Sequence, residues 1–253
     1  MSIWSRAADR IAEWRALRWL DRVDGSRTQV DATVLRSHRA SLRRLSRRLD
    51  AVVANVEEAA AEGQQHIIAP SGSDWSWRPQ LWAARQRTTS SVLAGGPLRF
   101  GAESAVFTDG GDNQVIARQT LTRNPGDATP YGLKIEVFQF SGSYVSVTID
   151  LPPSAVRGLS VKHYLSARID LAAEADMQCY AVLNLASGPN KERLVEGFRP
   201  SDRAIDVTFD LSGTHFDANR LERIWAEVIF EPKGMNAVHL RDVTLYRNLS
   251  REI

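Results

Sequence analysis

The apolar positions of this chain change period once. Leu35, His38, Leu42, Leu45, Leu49, Val52, Val56 and Ala59 follow an unbroken 3-4 spacing. That spacing predicts a helix with one narrow apolar seam, and such a seam needs a partner helix. From about Leu98 the period becomes two. Leu133, Ile135 and Val137 alternate with Lys134, Glu136 and Phe138. Val145, Val147, Ile149 and Leu151 alternate with Tyr144, Ser146, Thr148 and Asp150. The same alternation recurs at residues 165–171, 179–185, 205–211, 224–230 and 243–245. Period two with one apolar face predicts half-buried strands. Ser141-Gly142-Ser143, Pro152-Pro153, Ser187-Gly188-Pro189-Asn190 and Pro232-Lys233-Gly234 supply turns between them. Roughly seven to nine such strands predict a mainly β fold. The expected architecture is an antiparallel jelly-roll β-sandwich preceded by an N-terminal α-helical hairpin or coiled-coil stalk.

A first helix is expected over residues 3–23. Ser2 caps it, and Asp24-Gly25-Ser26 stops it. Ile3, Trp4, Ala7, Ile11, Trp14 and Leu17 share one side. The second helix, residues 30–62, ends at Gly63. Its seam pairs either with the first helix or with copies of itself, which makes a homo-oligomer an expected partner. His38 is a polar residue in the seam, a position that fixes register or oligomer state. Between helices and strands lies Asp74-Trp75-Ser76-Trp77-Arg78-Pro79-Gln80-Leu81-Trp82. Its three Trp are costly to leave in water, so the segment is expected to staple the stalk to the head. The domain reading is residues 1–65 as helical stalk or hairpin, 66–97 as Trp-rich connector and 98–253 as sandwich.

Charge adds one asymmetry. Net charge is only +2, yet residues 1–50 hold twelve Arg, no Lys and six acidic residues, a local +6. With Trp4, Trp14 and Trp19 among those Arg, the first helix also fits an interfacial helix on an anionic membrane. The bland alternative is the solvated face of a helix pair. A nucleic-acid partner is not expected, because the seam explains the second helix without DNA and Lys is absent there. The single cysteine, Cys179, sits in an apolar strand and reads as a buried thiol. No apolar run approaches the roughly 18 residues of a bilayer span, and the N-terminus carries charges where a secretory signal needs an apolar core. The expected compartment is cytoplasmic, with incorporation into a larger particle left open.

Enzyme motifs are missing. There is no Gly-rich phosphate loop, no H-E-x-x-H and no G-x-S-x-G. The five His, at 38, 66, 163, 215 and 239, form no metal-ligand spacing. The chain is expected to be no enzyme.

The order of the last hundred residues carries a resemblance. Paired strands over 162–185 lead to Val207-Thr208-Phe209-Asp210-Leu211. A helical turn, Asn219-Arg220-Leu221-Glu222-Arg223, precedes the apolar strand 224–230. A Gly-containing hairpin then leads to a closing strand with Leu240, Asp242, Val243 and Leu245 in an apolar–x–Asp–apolar–x–apolar pattern. This resembles the galactose-binding-like jelly roll of many carbohydrate-binding modules, over roughly residues 98–247. The whole chain also resembles an uncharacterised alphaproteobacterial family, through its basic helical N-terminus, Asp74-Trp75-Ser76-Trp77-Arg78-Pro79, Tyr131-Gly132-Leu133 and the closing strand. That family implies no activity.

The jelly-roll resemblance implies two candidate sites. Some members hold a structural Ca²⁺ between first and last strands, and Glu103, Asp109 and Asp242 are the carboxylates available here. Calcium takes six to eight oxygens, and Asp242 could instead serve a local turn or bulge. Members also bind sugar on a concave sheet face. The face opposite the core alternation is expected to present Lys134, Glu136, Phe138, Tyr180, Asn184, Trp225 and Glu227, a mix of aromatic and polar groups suited to a glycan. The leading functional expectation is a non-enzymatic binding module for carbohydrate on a helical oligomerisation segment. The rivals are a scaffold protein whose concave face is covered from within, and a peripheral membrane protein anchored by the Trp/Arg helix.

Overall fold

The structure, a computed structural model, describes residues 67, 69–93, 96–110, 113–122, 129–201 and 203–250, plus five positions at 43, 46, 48, 49 and 52. The chain divides into two units, Met1–Asn55 and Val56–Ile253. In the first unit the five described positions are helical. Leu49 and Val52, two of the seam residues, are 56% and 57% exposed. The expected first helix, His38 and the rest of the seam lie outside the described residues. Among the described residues no helix is long and apolar enough to cross a membrane.

The second unit is built from strands. In chain order these are β1 Ser73–Trp77, β2 Ser90–Val92, β3 Leu98–Phe100, β4 Ser104–Thr108, β5 Gln114–Leu121, β6 Tyr131–Gln139, β7 Val145–Asp150, β8 His163–Ala173, β9 Cys179–Ser187, β10 Asn190–Phe198, β11 Ile205–Asp210, β12 Leu221–Phe230 and β13 Asn236–Leu249. Two single-turn α-helices, α1 Gln80–Ala83 and α2 Pro153–Val156, and a 3-10 turn at Ala218–Arg220 interrupt them. Sheet I runs β11-β8-β13-β6-β5-β2, with β1 also paired to β13. Sheet II runs β10-β9-β12-β7-β4-β3. Every pairing is antiparallel. From β6 onward the chain passes repeatedly from one sheet to the other, so each strand adds to the shared interior.

Alternation decides which side faces that interior. Leu133, Ile135 and Val137 of β6 are buried, as are Leu165, Ile169 and Leu171 of β8, and Val238, Leu240, Val243 and Leu245 of β13. From sheet II come Val145, Val147 and Ile149, Cys179, Leu183 and Leu185, and Ile224, Val228 and Phe230. Together they form one apolar core, each large side chain worth about 1.5–3 kcal/mol when fully withdrawn from water. Burial pushes the Cys179 thiol up to about 12, so it stays protonated and unreactive at neutral pH. At the hairpin between β12 and β13, Gly234 has φ 121°, a conformation that a side chain would strain.

The Trp-rich segment departs from expectation. Residues 73–77 are β1, a strand of sheet I, and residues 90–92 are β2. The sandwich therefore begins near residue 73 rather than 98. Trp75 and Trp77 stack with ring centroids 6.4 Å apart and pack on the core. Trp82 is fully buried, and its indole N–H donates to the Leu240 carbonyl at 3.1 Å.

The same segment explains Asp242. The register of β13 shifts between Leu240 and Asp242. Such a bulge re-aims the residues beside it. Asp242 meets Arg78, which donates to it through Nε at 3.1 Å and through Nη2 at 3.2 Å. Thr244 also donates to Asp242. Burial pushes the Asp242 carboxyl above its ordinary value while Arg78 and Thr244 pull it back. A second pair runs the other way along the same two strands, with Arg247 donating to Asp74 at 2.7 Å. Hydrogen bonding from Arg247 holds the Asp74 carboxyl below its ordinary value. Asp74 and Arg78 of the motif thus clasp Arg247 and Asp242 of the closing strand, one acid and one base from each side.

Candidate functional site

The outer face of sheet II carries a cleft of about 460 Å³. The register aligns its side chains in rows. Trp225 on β12 pairs with Asp150 on β7 and Asn184 on β9, Glu227 with Thr148 and Val182, and Ile229 with Ser146 and Tyr180. β10 extends these rows with Arg193 opposite Asn184, Val195 opposite Val182, and Gly197 opposite Tyr180. Because Gly197 has no side chain, nothing from β10 covers Tyr180 in its row; a Cβ there would lie 3.9 Å from the Tyr180 ring. Tyr144, Tyr180, Arg193, Glu227 and Glu231 all line the cleft.

Local chemistry fixes both ends. Tyr144 ends the turn between β6 and β7. The Asp109 carboxylate accepts from the backbone N–H of Ser143 at 2.8 Å and of Tyr144 at 3.1 Å. Burial pushes the Asp109 carboxyl up, but these backbone donors outweigh it and hold the group below its ordinary value. Gly142 is needed here, since a Cβ would collide with that carboxylate. In the middle of the face, the Trp225 indole N–H donates to Glu227 Oε1 at 3.0 Å, and the Asn184 amide donates to the same oxygen at 2.9 Å. Glu227 is therefore held in one orientation by two neutral donors. Beyond Trp225, the Arg223 guanidinium lies 4.8 Å from the ring centroid and donates through Nε to Asp150 at 2.8 Å. One face of Trp225 is thus occupied by a cation, and Trp225 does not line the cleft.

Of the seven expected binding residues, Tyr180, Asn184, Trp225 and Glu227 share this face. Lys134, Glu136 and Phe138 do not join them. They lie on β6 in sheet I, on the opposite outside of the sandwich. There Glu136 is paired with Lys134 at 3.0 Å and with Arg118, and the hydrogen bonds from Lys134 and then Arg118 hold its carboxyl below its ordinary value. Phe138 is 49% exposed at the end of that strand. Alternation separates outside from inside but does not say which outside. Further residues of the cleft escaped the sequence reading, Tyr144, Arg193 and Glu231 among them, as did Gly197 opposite Tyr180. Tyr144 had a signal, because it already alternated outward from Val145. Arg193 and Gly197 sit on β10, whose inward side offers only the half-buried Leu194 and Phe198, and Glu231 lies just past the end of β12.

The three candidate calcium ligands are each otherwise engaged. Glu103 accepts from the Gln80 backbone N–H at 2.9 Å, Asp109 holds the Ser143–Tyr144 turn, and Asp242 is tied to Arg78. Among the described residues no group of three or more His, Cys, Asp or Glu side chains is placed to hold a metal ion. A second concavity, about 630 Å³, is lined by residues 83–87 with Gln80 and Gly101. Its buried Gln86 amide is satisfied by the carbonyls of Gln80 and Ala84.

Solved structures similar to this chain include the family 11 carbohydrate-binding module from Clostridium thermocellum, in complex with a β-1,3-1,4-mixed-linked tetrasaccharide. It is 11% identical, with 64% of this chain and 98% of that chain covered and a TM-score of 0.41. The xylan-binding CBM22-1 domain of Paenibacillus barcinonensis Xyn10C is 7% identical, with 73% and 100% covered and a TM-score of 0.40. No curated protein sequence matches the chain. The family match extends over residues 1–253, and the chain belongs to DUF6478, a family of unknown function.

Proposed function

We propose that the outer face of sheet II binds a carbohydrate chain and that the protein acts as a binding module with no catalysis of its own. The observation that carries this is the pairing of a bare aromatic ring with a fixed polar group. Tyr180 offers a ring uncovered by its β10 neighbour, and Glu227 presents a carboxylate already oriented by Trp225 and Asn184. Sugars have apolar C–H faces and hydroxyl rims, so a ring plus preorganised acceptors in an open cleft matches both. Tyr180 rather than Trp225 is the stacking platform, because Arg223 already occupies one face of the indole. Catalysis fits the cleft poorly. Glu227 and Glu231 are four residues apart on extended chain, about 13 Å at strand rise, beyond the roughly 5–9.5 Å that glycosidase carboxylates need.

A glycan array probed with the full-length protein tests the reading. Specific binding is expected, falling at least tenfold in Tyr180→Ala while the melting temperature stays within a few degrees. An array without hits, or binding indifferent to Tyr180→Ala, overturns it.

A further inference from the structure

We infer that the cleft selects glycans bearing protonated amino groups and that Glu227 reads the amine. This rests on the carbohydrate reading above and narrows it. Two half-buried glutamates, Glu136 and Glu227, each lie on the outward side of an inner strand. Glu136 has two cations, Lys134 at 3.0 Å and Arg118. Glu227 has none within ion-pair distance among the described residues. Its partners are the Trp225 indole and the Asn184 amide, both on Oε1. Neutral donors orient a carboxylate without cancelling its charge, and Oε2 receives no donor from the described residues. A carboxylate drawn partly out of water without a counter-ion is costly. Among the described residues that cost is met at Glu136 and not at Glu227.

The surroundings point to the missing member. Glu231 lines the same cleft and has no cation partner among the described residues. Tyr180 and Tyr144 add ring faces, which attract cations. Arg193 is the one cation in the lining. It stands on β10 with β9 between it and Glu227, about 10 Å away by strand spacing, and makes no ion pair among the described residues. A sugar ammonium brings three donors and one positive charge. It would supply Oε2 with a hydrogen bond and Glu227 with its counter-ion in one step. A neutral hexose supplies only the hydrogen bond, and an acidic sugar meets two carboxylates of its own sign.

Calorimetric titration of the full-length protein with hexamers of β-1,4-linked glucosamine, N-acetylglucosamine and glucose tests this. The glucosamine hexamer should bind at least tenfold tighter than the other two. Glu227→Gln, which keeps the shape and the acceptor on Trp225 and Asn184, should bring the three within threefold of one another. Should Glu227→Gln not fold, Glu231→Gln should narrow the preference about threefold. Equal or better binding of the glucose or N-acetylglucosamine hexamer by wild type overturns amine selection and leaves the carbohydrate reading intact. A glucosamine preference that survives both substitutions is general charge attraction and overturns the role of the cleft. Binding of none of the three overturns the inference, and an array without hits then removes the broader reading as well.

Discussion

On the outside of sheet I, Glu136 meets Lys134 and Arg118, Asp170 meets Arg241, Asp206 meets Arg168 and Asp242 meets Arg78. On the outside of sheet II, Asp150 meets Arg223, while Glu227 and Glu231 meet no cation among the described residues. The two faces share a composition of acids, arginines and aromatics. They differ in whether the fold completes its own electrostatics. On sheet I these four carboxylates are matched by cations of the fold itself. On sheet II a half-buried carboxylate is oriented by neutral donors beside an aromatic ring, with no counter-ion among the described residues.

The difference can be broken first where it is largest. Arg78→Ala should destabilise the protein by about 3–5 kcal/mol, because it strands a buried carboxylate. Arg78→Met with Asp242→Leu should recover most of that loss, since an apolar pair of similar volume leaves no charge unmatched. Urea unfolding of the two variants decides it, and equal losses would show that the clasp acts by packing alone.

Acid comes next. Asp74, Asp109 and Glu136 are all held below their ordinary values of 3.8, 3.8 and 4.5. Their folded forms release protons more readily than the unfolded chain. Their contribution is therefore complete above those ordinary values and drains as pH falls through the lower folded ones. Asp242 has the opposite sign, its carboxyl being raised by burial, and offsets part of the loss. Melting temperature should hold level from neutral pH to about pH 5 and fall below pH 4. A fall that Asp109→Asn and Glu136→Gln do not blunt would assign acid sensitivity elsewhere.

The smallest effect sharpens the comparison most. Glu136→Gln should cost about 0.2–1 kcal/mol, the scale of a partly exposed ion pair. Glu227→Gln should cost nothing or stabilise slightly, because the charge it removes has no partner. Equal losses in a denaturant series would mean that the two faces are not distinct.

Much of sheet I and sheet II was legible before the structure. The alternation at 133–137, 145–149, 165–171, 179–185, 205–209, 224–230 and 243–245 marks β6 to β9 and β11 to β13, since one buried face leaves period two in the sequence. β10 was invisible for the complementary reason: as an outer strand with little of either side buried, it has no period to show. β1 was hidden by its tryptophans, which suggested an external staple when they are inward residues of a paired strand. The site was half legible. Tyr180, Asn184, Trp225 and Glu227 share the outer face of sheet II because they alternate away from the core, and of these Tyr180 and Glu227 line the cleft. Lys134, Glu136 and Phe138 point away too, but from the other sheet, and sheet membership depends on long-range pairing. The Arg78–Asp242 pair spans 164 positions, and no local pattern announces a partner at that distance.

β13 lies at the centre of sheet I, between β8 on one side and β6 with β1 on the other, and it is the last strand in the described chain. The consequence concerns birth rather than stability. During synthesis β6 is complete about 110 residues before Leu249 appears, an interval of roughly 5–20 s at ordinary elongation rates. Throughout it β6, and from Ala173 onward β8 as well, lacks the strand that pairs with it in the finished sheet. Unpaired edges are templates for other chains. The protein's exposure to misassembly is therefore set by the place of one strand in the gene, and a ribosome that pauses before Asn236 prolongs it.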